Sequence, residues 1–359
     1  MKIAVIAWSL SSGGIERVAS VLTNRMIDDN HEVSIITLSD NKEGVELYND
    51  KIKMIHLSSG FNNRVIRPMS KILELRRYIK KKKYDVLIPL SFGIVITTII
   101  ARGFSKVKTI GSERTDPSKE PNSRIMKLLR NIAYSRTSKM IFQTDEAKNY
   151  FSKKVQQKGV VIPNPIHDNL PIRDSRLSRE KIMVNFCRLV PQKNLFLLID
   201  SFFDFCVDYP EYKLVIYGRG PLEKELRDYI NKIGLAEKIE IYDFTTEIHL
   251  KIINCAMFVS SSDYEGISNS MLEAMALGIP TISTDCPVGG ARLVIENMEN
   301  GILTTVGSRK ELTDAMKYVV NNPVEAEIMA NRAIEIRNQL SSSNIVQRWY
   351  DVIFDDLKS

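Results

Sequence analysis

Cysteine is scarce in this chain, with only Cys187, Cys206, Cys255 and Cys286 among 359 residues. No CxxC pair or adjacent histidine accompanies them, which argues against a disulfide scaffold or zinc ribbon and favours reduced thiols in a cytosolic protein. The four histidines have no metal-ligand spacing and no Asp-x-Asp motif occurs, so we expect no protein-held metal. The sequence also lacks a GxSxG elbow, a P-loop and a Cys/His pair in a catalytic context.

Long apolar runs are also missing. The longest, residues 86–100, is interrupted by Pro89, Ser91 and Gly93, and it is shorter than the ~20 residues that a membrane-spanning helix needs. The apolar N-terminus, MKIAVIAWSL, is better interpreted as a buried first strand than as a signal peptide. We therefore expect a protein that is soluble, or at most peripheral to a membrane.

The two halves of the chain have net charges of opposite sign. Residues 1–165 contain 29 Lys and Arg against 15 Asp and Glu, a net charge of +14, whereas the remainder has a net charge of −7. Such asymmetry suggests that the first half meets an anionic partner, which could be a nucleic acid, a membrane surface or a polyanionic substrate. Composition alone does not choose between them.

Apolar strands alternate with helical patterns along the whole chain. In the first half the predicted strands are 3–7, 33–38, 86–90, 107–110 and 140–143. The predicted helices between them are 15–28, 69–82, 92–101, 123–135 and 146–154. The pattern restarts with six strands, at 182–187, 213–217, 239–242, 257–260, 281–283 and 302–304. Helices are predicted to begin near Lys193, Leu222, Thr246, Asn269, Ala291 and Lys310, and a last helix covers 344–357.

This alternation predicts parallel sheets with helices on both faces, an α/β fold of two doubly wound, Rossmann-like domains. The segment Ile162–Ile166 separates them because two prolines flank Asn164 and exclude helix there. If the two sheets face one another across a cleft, ligands should bind there, beyond the carboxyl ends of the strands.

Two glutamates flank the most informative motif, EGISNSMLE, which directly follows the predicted strand 257–260. Glu265 falls in the loop at the sheet's carboxyl end, and Glu273 falls one to two turns into a helix capped by Ser268 or Asn269. Side chains lean towards a helix N-terminus, so both carboxylates can face one ligand beside the free amides of residues 266–269. Taken alone, the spacing would also suit an ordinary amphipathic helix with solvated glutamates.

Arg188 and Lys193 follow the first strand of the second half and flank the start of the next helix. Two fixed cations at that place suit a diphosphate whose charge increases as it leaves. Elsewhere on a protein such a pair would more often be surface decoration.

Three further loops at predicted strand ends have a structural and a functional interpretation. Gly13 and Gly14 allow backbone to approach a phosphate or sugar closely, or simply form a tight turn. Gly218 and Gly220 allow a nucleobase to lie against backbone, or form a turn before a helix. The loop containing Glu113 and Arg114 offers contacts to hydroxyls and phosphates, or an internal salt bridge.

Together these motifs resemble the retaining family-four glycosyltransferases of GT-B fold, and the resemblance covers nearly the whole chain. It implies an N-terminal acceptor-binding domain of residues 1–167, completed by a C-terminal helix 342–359 that packs back on it, and a donor-binding domain of residues 168–341. The loop Ser112–Pro117 is similar to that of bacterial enzymes that build capsule, lipopolysaccharide or lipid-linked oligosaccharides.

The resemblance implies transfer of a sugar from a nucleotide diphosphate, with UDP favoured over GDP, to a hydroxyl with the anomeric configuration retained. It assigns the diphosphate to the catalytic cations Arg188 and Lys193, and the sugar hydroxyls to Glu265. The remaining donor contacts it implies are the ribose ligand Glu273 together with Gly13, Gly14, Gly218, Phe244, Thr245, Gly266, Ile267 and Ser268. No cofactor is required, because the nucleotide-sugar is a substrate, and Glu113 and Arg114 become candidate sugar or acceptor contacts.

The sequence departs from the family pattern at three places. Glu113 stands where many relatives have His, Asp243 stands where many have Gly, and the loop Pro287–Arg292 lacks a Pro-Glu pair after its glycines. These departures affect donor-sugar identity more than reaction class. The alternatives are a GT-B nucleotide-sugar epimerase, a non-catalytic sugar-nucleotide binder, and a glycoside hydrolase with Glu265 and Glu273 as acid and base.

Basic and apolar residues share one predicted helical region near the end of the first 85 residues. The residues are Arg64, Arg67, Lys71, Arg76, Arg77 and Lys80–Lys83, with Phe61, Val65, Ile66, Met69, Ile72 and Leu75. Such a surface fits anionic lipid headgroups and a glycan or polyprenyl-diphosphate-linked acceptor, or it is a solvated helix face. No recognised nucleic-acid module accompanies the basic residues, so we expect no nucleic-acid partner. We expect a cytoplasmic protein, peripheral on the inner face of the cell membrane.

Overall fold

A computed structural model describes residues 1–10, 14–39, 48–57 and 66–355 of the chain. The chain divides into two compact units, Met1–Pro165 with Ser342–Ser359, and Ile166–Ser341. The division falls two residues before the predicted boundary at 167/168. Within the described ranges no helix has the length and apolar character needed to cross a membrane.

The first unit is built on a seven-stranded parallel sheet. Its strands are β1 Lys2–Ala7, β2 Glu32–Thr37, β3 Lys53–His56, β4 Val86–Pro89, β5 Lys108–Ser112, β6 Lys139–Phe142 and β7 Gly159–Val161, in the order β3-β2-β1-β4-β5-β6-β7. The five predicted strands are the buried central ones. The two that sequence reasoning missed, β3 and β7, are short edge strands that are only partly buried, so they lack the continuous apolar run of a strand covered on both faces.

Helices of the first unit follow the predicted alternation. They are α1 Gly14–Asp28, α2 Ile66–Lys82, α3 Phe92–Arg102, α4 Arg124–Ser135, α5 Asp145–Asn149 and α6 Lys153–Gln156. The single helix predicted for 146–154 is wrong: the chain forms two short helices there. The first ends at Asn149, and Ser152, in an extended conformation with φ −61° and ψ 154°, precedes the second.

The last helix, which we number α14 (Ser342–Ile353), belongs to the first unit. Trp349 is buried there, and the Arg114 guanidinium lies 5.6 Å from its ring. Tyr350 donates a 2.7 Å hydrogen bond to Asp29 at the end of α1, and Arg348 donates one of 2.6 Å to the carbonyl of Val161 in β7. The chain therefore returns to its first unit after completing the second.

The second unit has a six-stranded parallel sheet. Its strands are β8 Glu180–Phe186, β9 Lys213–Tyr217, β10 Ile239–Tyr242, β11 Cys255–Ser260, β12 Thr281–Thr284 and β13 Ile302–Thr304, in the order β10-β9-β8-β11-β12-β13. This is the doubly wound order in which the chain first builds outward on one side and then on the other. The switch point lies between β8 and β11, which are neighbours in the sheet. All six predicted strands are present.

Helices of the second unit depart from prediction in two places: the helix predicted near Ala291 is absent, and the last two, between residues 323 and 339, were not predicted. They are α7 Leu195–Asp208, α8 Glu223–Lys232, α9 Ile248–Ile252, α10 Asn269–Ala276, α11 Arg309–Asn321, α12 Pro323–Ala333 and α13 Ile336–Gln339. The helix predicted near Ala291 does not form. Val288 and Gly289 both have positive φ, 64° and 68°, and residues 290–294 form turns instead.

Candidate functional site

Two loops meet at the switch point of the second sheet, beyond the carboxyl ends of β8 and β11. The first, residues 187–194, ends in a single 3₁₀ turn, Pro191–Lys193. The second, residues 261–268, leads into α10. The Ser261 hydroxyl donates 3.0 Å hydrogen bonds to the carbonyls of Lys193 and Asn194, and the Asn194 amide donates a 2.7 Å bond to Asp263. The loops are thus joined to one another by hydrogen bonds at the place where open α/β sheets bind ligands.

The joined loops bring Lys193 and Glu265 into contact. The Lys193 ammonium donates to Oε1 of Glu265, and the two side chains are only 13% and 14% exposed. Ser262 donates a 2.9 Å hydrogen bond to the same carboxylate oxygen, and Gln192 donates one of 3.1 Å to the other. The carboxylate of Glu265 is therefore held in one orientation at the edge of solvent.

The charge of Lys193 is stabilised by this pairing. Burial by itself lowers the pKa of Lys193, but the nearby carboxylate of Glu265 outweighs it, and the pKa lies above its ordinary value. Lys193 is therefore a permanent cation at neutral pH. Arg188, on the same loop, is exposed, and in the parts of the chain that the structure describes its guanidinium has no ion-pair partner. Both predicted cations thus lie on one loop, only one of them paired.

The start of α10 lies against a glycine turn. Ser268 caps the helix by accepting a 3.4 Å hydrogen bond from the amide of Met271. A Cβ atom at Gly290 would lie 1.6 Å from the carbonyl oxygen of Gly266, so only glycine allows that turn to support the Glu265–Ser268 loop. Gly266, Ile267 and Ser268 are buried. The N-terminus of α10 begins four residues after Glu265, and the first amides of a helix provide an environment for an anionic or polyhydroxylated group.

Glu273 lies in the second turn of α10 and is almost fully buried. Its Oε2 is 2.6 Å from Nε2 of His249, a residue of α9. The ring of His249 in turn meets the edge of His167, with centroids 6.0 Å apart. Sequence reasoning missed His249, because α9 precedes β11 and no spacing links that histidine to the glutamate motif.

In the predicted glycine loop after β9, the glycines lie close to the protein's own backbone, in the loop after β8. A Cβ atom at Gly218 would lie 1.8 Å from the carbonyl oxygen of Cys187, and one at Gly220 would lie 2.2 Å from that of Leu189. Both glycines are therefore required for the β8 and β9 loops to pack together. Whether a nucleobase also lies there stays a prediction.

The loop after β10 carries the two remaining predicted donor contacts. Phe244 is about half exposed, and Thr245 is partly buried and accepts a 3.2 Å hydrogen bond from the amide of Glu247. Asp243, one of the departures from the family pattern, forms a bidentate ion pair with Arg219 on the neighbouring loop. That pair connects the ends of β9 and β10.

Glu113, at the end of β5 in the first unit, is buried in an internal network. Its carboxylate accepts hydrogen bonds from the hydroxyls of Tyr134 and Thr115, at 2.8 and 3.1 Å, and lies 3.9 Å from the Arg130 guanidinium. Burial raises the pKa of Glu113, although Arg130 and Tyr134 act in the opposite direction. The surroundings of Glu113 are those of a structural carboxylate.

Arg114 is also buried, and it points into the first unit. It donates hydrogen bonds of 2.7 Å to Ser112 and 2.6 Å to Asn164. Burial lowers the pKa of Arg114 to about 10. Gly13 lies outside the described residues, and Gly14 is the first residue of α1. The structure thus joins Lys193 and Glu265 directly, whereas Glu113 and Arg114 lie in the other unit.

Several residues that we predicted for the basic surface around α2 are buried or lie outside the described residues. Arg64, Phe61 and Val65 lie outside the described residues. Lys71 is not part of a surface: it is buried, donates to the carbonyl of Leu38 and lies over the ring of Trp8. Leu75 belongs to the core, because α2 turns that side towards the sheet.

Comparison with known proteins identifies what these two Rossmann-like domains are. The model for "Glycosyltransferase Family 4" matches residues 12–170, and the model for "Glycosyl transferases group 1" matches residues 171–336. The chain therefore belongs to the glycosyltransferases that combine these two domains, and it is an enzyme of that class.

Relatives and solved structures agree with this assignment. The chain is 24% identical, over 98% of each sequence, to a Campylobacter jejuni α-1,4-N-acetyl-D-galactosaminyltransferase whose name specifies a glycan on diphospho-undecaprenol. It is also 24% identical, over 96% of each, to the amylovoran biosynthesis glycosyltransferase AmsD of Erwinia amylovora. The crystal structure of HepE from Anabaena in complex with UDP-glucose superposes with a TM-score of 0.86 at 19% identity, over 100% of this chain and 99% of the other. The shared fold is GT-B.

Proposed function

We propose that this glycosyltransferase transfers a sugar from a UDP-sugar to a hydroxyl of a glycan, carried on a polyprenyl diphosphate, with retention of the anomeric configuration. The observation that carries the proposal is the Lys193–Glu265 pair at the β8/β11 switch point, on two loops joined by hydrogen bonds. A cation and an oriented carboxylate lie side by side there. This arrangement suits a sugar diphosphate, because the cation can bind the diphosphate and the carboxylate can accept hydrogen bonds from the sugar hydroxyls.

The reaction would proceed by positioning and charge stabilisation. The bond between the sugar's anomeric carbon and the diphosphate oxygen breaks, and the acceptor oxygen bonds to that carbon on the same face. The acceptor's proton passes to the departing phosphate, which leaves as UDP. Lys193 and Arg188 stabilise the negative charge that grows on the leaving group, where preorganised charges contribute most. Glu265 accepts hydrogen bonds from the sugar hydroxyls.

Glu273 suits a ribose better than acid catalysis. It is almost fully buried, and its carboxylate is held by His249. A general acid of a glycoside hydrolase must reach the glycosidic oxygen, which an enclosed and hydrogen-bonded carboxylate in the second turn of α10 does poorly. Glu273 would instead hold the two ribose hydroxyls of the donor, with His249 setting the orientation of the carboxylate.

The names of similar proteins support the finer points of donor and acceptor. HepE was crystallised with UDP-glucose, and the Campylobacter jejuni relative is named for a diphospho-undecaprenol-linked glycan. A polyprenyl-linked acceptor is membrane-borne, so we place the enzyme in the cytoplasm, peripheral on the inner face of the membrane, in the synthesis of capsule, lipopolysaccharide or a related surface glycan.

A donor panel tests the proposal first. Thermal unfolding midpoints are measured with UDP- and GDP-sugars, and a UDP-sugar is expected to stabilise the protein because a ligand that binds only the folded state raises the midpoint. The stabilising donor is then incubated with lipid-linked acceptors, and glycoside and UDP are quantified. Stabilisation by GDP-sugars alone would overturn the donor assignment, and an isomerised sugar-nucleotide without transfer would indicate an epimerase.

Substitution of Glu265 tests the site itself. Glu265→Gln removes the charge that pairs with Lys193 and is expected to lower transfer by about 10²–10³-fold, the range for losing one preorganised polar contact in a transition state. The matched control is Glu225→Gln on the exposed face of α8, which should leave transfer unchanged. Equal activity in the two variants would remove Glu265 from the mechanism.

A further inference from the structure

Helix α4 presents an apolar face to solvent. Ile125, Leu128, Leu129 and Ile132 are between 40% and 71% exposed, at the spacing of one helix face. The opposite face is the buried one, formed by Arg130, Ala133 and Tyr134. Apolar side chains that stay this exposed contribute little to packing the first unit, and a contiguous exposed group of them is typical of an interaction surface.

A projecting loop continues this face. Phe104, in the loop after α3, is 98% exposed, and the Arg136 guanidinium lies 5.8 Å from its ring. The loop is held in place because Arg136 donates to the carbonyl of Gly103 and Arg102 donates to the carbonyls of Val107 and Arg136. Arg136 directly follows α4, so Phe104 lies at the C-terminal end of the apolar face. We call Phe104 and the four exposed α4 side chains the α4 surface.

The exposed charged residues that flank Phe104 and helix α4 along the chain are mostly basic. Residues 86–112 and 121–144 contain no Asp or Glu. Between them, Glu113 and Asp116 are buried inside the unit and Glu120 is half-buried. Lys106 and Arg124, in contrast, are exposed. An apolar helix face with exposed cations beside it is complementary to a lipid bilayer, which has an apolar interior and, with anionic lipids, a negatively charged headgroup layer.

We propose that the α4 surface docks on an anionic lipid bilayer, with Phe104, Leu128 and Ile132 entering the acyl region and Lys106 and Arg124 meeting the headgroups. A second copy of this chain is the less suitable occupant. A two-fold contact would set the same cations against one another, because isologous interfaces pair a patch with itself.

This inference rests on the membrane-borne acceptor proposed above and adds which part of the enzyme contacts the membrane. The sequence predicted that contact in the α2 region, and the proposal assigns it to α4. Vesicle binding does not depend on sugar transfer, so failure of docking and failure of the proposed reaction are distinguishable.

Sedimentation with vesicles tests the proposal on the full chain. Binding to phosphatidylglycerol–phosphatidylcholine vesicles is expected, with loss at high salt and weak binding to phosphatidylcholine alone. The double variant Leu128→Ser with Ile132→Ser should bind at least about tenfold more weakly, since burial of each such side chain contributes that factor or more. The matched control is Val324→Ser with Ile328→Ser, an exposed pair of the same spacing on α12, which should bind as the parent does.

Charge reversal and oligomeric state complete the test. Lys106→Glu with Arg124→Glu should lower binding to the anionic vesicles and leave weak phosphatidylcholine binding unchanged. Thermal unfolding midpoints check that every variant is folded. Equal vesicle binding by the α4 and α12 variants would overturn the proposal. The proposal would also be overturned if the parent protein bound no vesicles. If that parent were a dimer in solution and the α4 variant a monomer, the α4 surface would instead be a dimer interface.

Discussion

Two charged clusters, one in each unit, lie at the carboxyl ends of parallel strands yet have opposite surroundings. In the second unit, Lys193 and Glu265 are partly exposed and their loops are joined by hydrogen bonds. In the first unit, Glu113 and Arg130 are sealed off from water at 1% and 0% side-chain exposure. Residues of the same types at similar sheet edges are thus open to solvent in one unit and enclosed in the interior in the other. That difference in exposure is why we propose a ligand site for the second unit only.

The largest expected effect comes from breaking the buried cluster. Arg130→Ala leaves the Glu113 carboxylate inside the unit without its cation, and removal of one partner of a buried pair costs about 3–5 kcal/mol. The free energy of unfolding, from denaturant titration followed by circular dichroism, should fall by that amount. A loss below about 1 kcal/mol would show that the first cluster is no more structural than the second.

Breaking the exposed cluster should affect chemistry and leave stability nearly unchanged. Lys193→Ala is expected to lower transfer by about 10²–10³-fold, because the variant loses the cation that we propose to stabilise the leaving diphosphate. The unfolding midpoint should change little, since Glu265 can be rehydrated at the edge of solvent. Lys232→Ala, an exposed lysine at the end of α8, is the control. A stability loss in Lys193→Ala as large as that in Arg130→Ala would erase the contrast.

The pH dependence of stability should carry the signature of Glu113. Its folded-state pKa is raised by burial, so the folded protein binds that proton more tightly than the unfolded chain. This stability is fully present below the ordinary Glu pKa of about 4.3, and it is lost as the pH rises through the raised folded value. Each tenfold difference in proton affinity between the two states contributes about 1.4 kcal/mol to that loss.

Glu113→Gln removes this titration, and it keeps the size of the side chain. Unfolding midpoints measured between pH 4 and pH 8 should decline more steeply in the parent than in the variant. Parallel curves would show that Glu113 ionises in the folded protein as readily as in the unfolded chain, and the first cluster would then not differ from an exposed one.

The smallest effects compare two helix caps. Ser268 caps α10 and Ser123 caps α4, each accepting a hydrogen bond from the amide three residues on. Ser→Ala at either cap should cost about 1 kcal/mol of stability. Only Ser268→Ala should also weaken stabilisation by the donor, measured as the midpoint shift on adding UDP-sugar. Equal weakening in both variants would separate the α10 N-terminus from donor binding.

The sequence predicted the sheets well because their central strands are buried on both faces. A continuous apolar run such as Ile3–Ala7 or Met257–Ser260 is typical of a buried strand. The partly buried strands β3 and β7 lack such a run, so the sequence pattern does not indicate them. In place of the helix expected near Ala291, the chain turns with positive φ at Val288 and Gly289, and Gly290 lies against the carbonyl of Gly266 in the Glu265 loop. Local pattern does not contain that contact.

The candidate site was predictable in part, for the same reason. Glu265, Lys193 and Arg188 lie next to strand ends, and strand ends of a parallel sheet converge at one edge. His249 and Gln192 were not predicted, because His249 lies on a helix rather than at a strand end and Gln192 carries no charge; their glutamate partners lie 24 and 73 positions away along the chain. Lys71 and Arg114 carry charges that predict a surface, yet both are buried with specific hydrogen-bond partners.

The sequence by itself determined the two repeats of strand and helix and the division near residue 165, since these depend on apolar periodicity and on prolines that neighbouring residues define. The resemblance of its motifs to a known family indicated the glycosyltransferase class. Only the tertiary structure decided which charges are free to meet a ligand, and that an apolar face of α4 points to water. Exposure depends on residues that are distant in the chain and adjacent in space, so it appears only when the chain is folded.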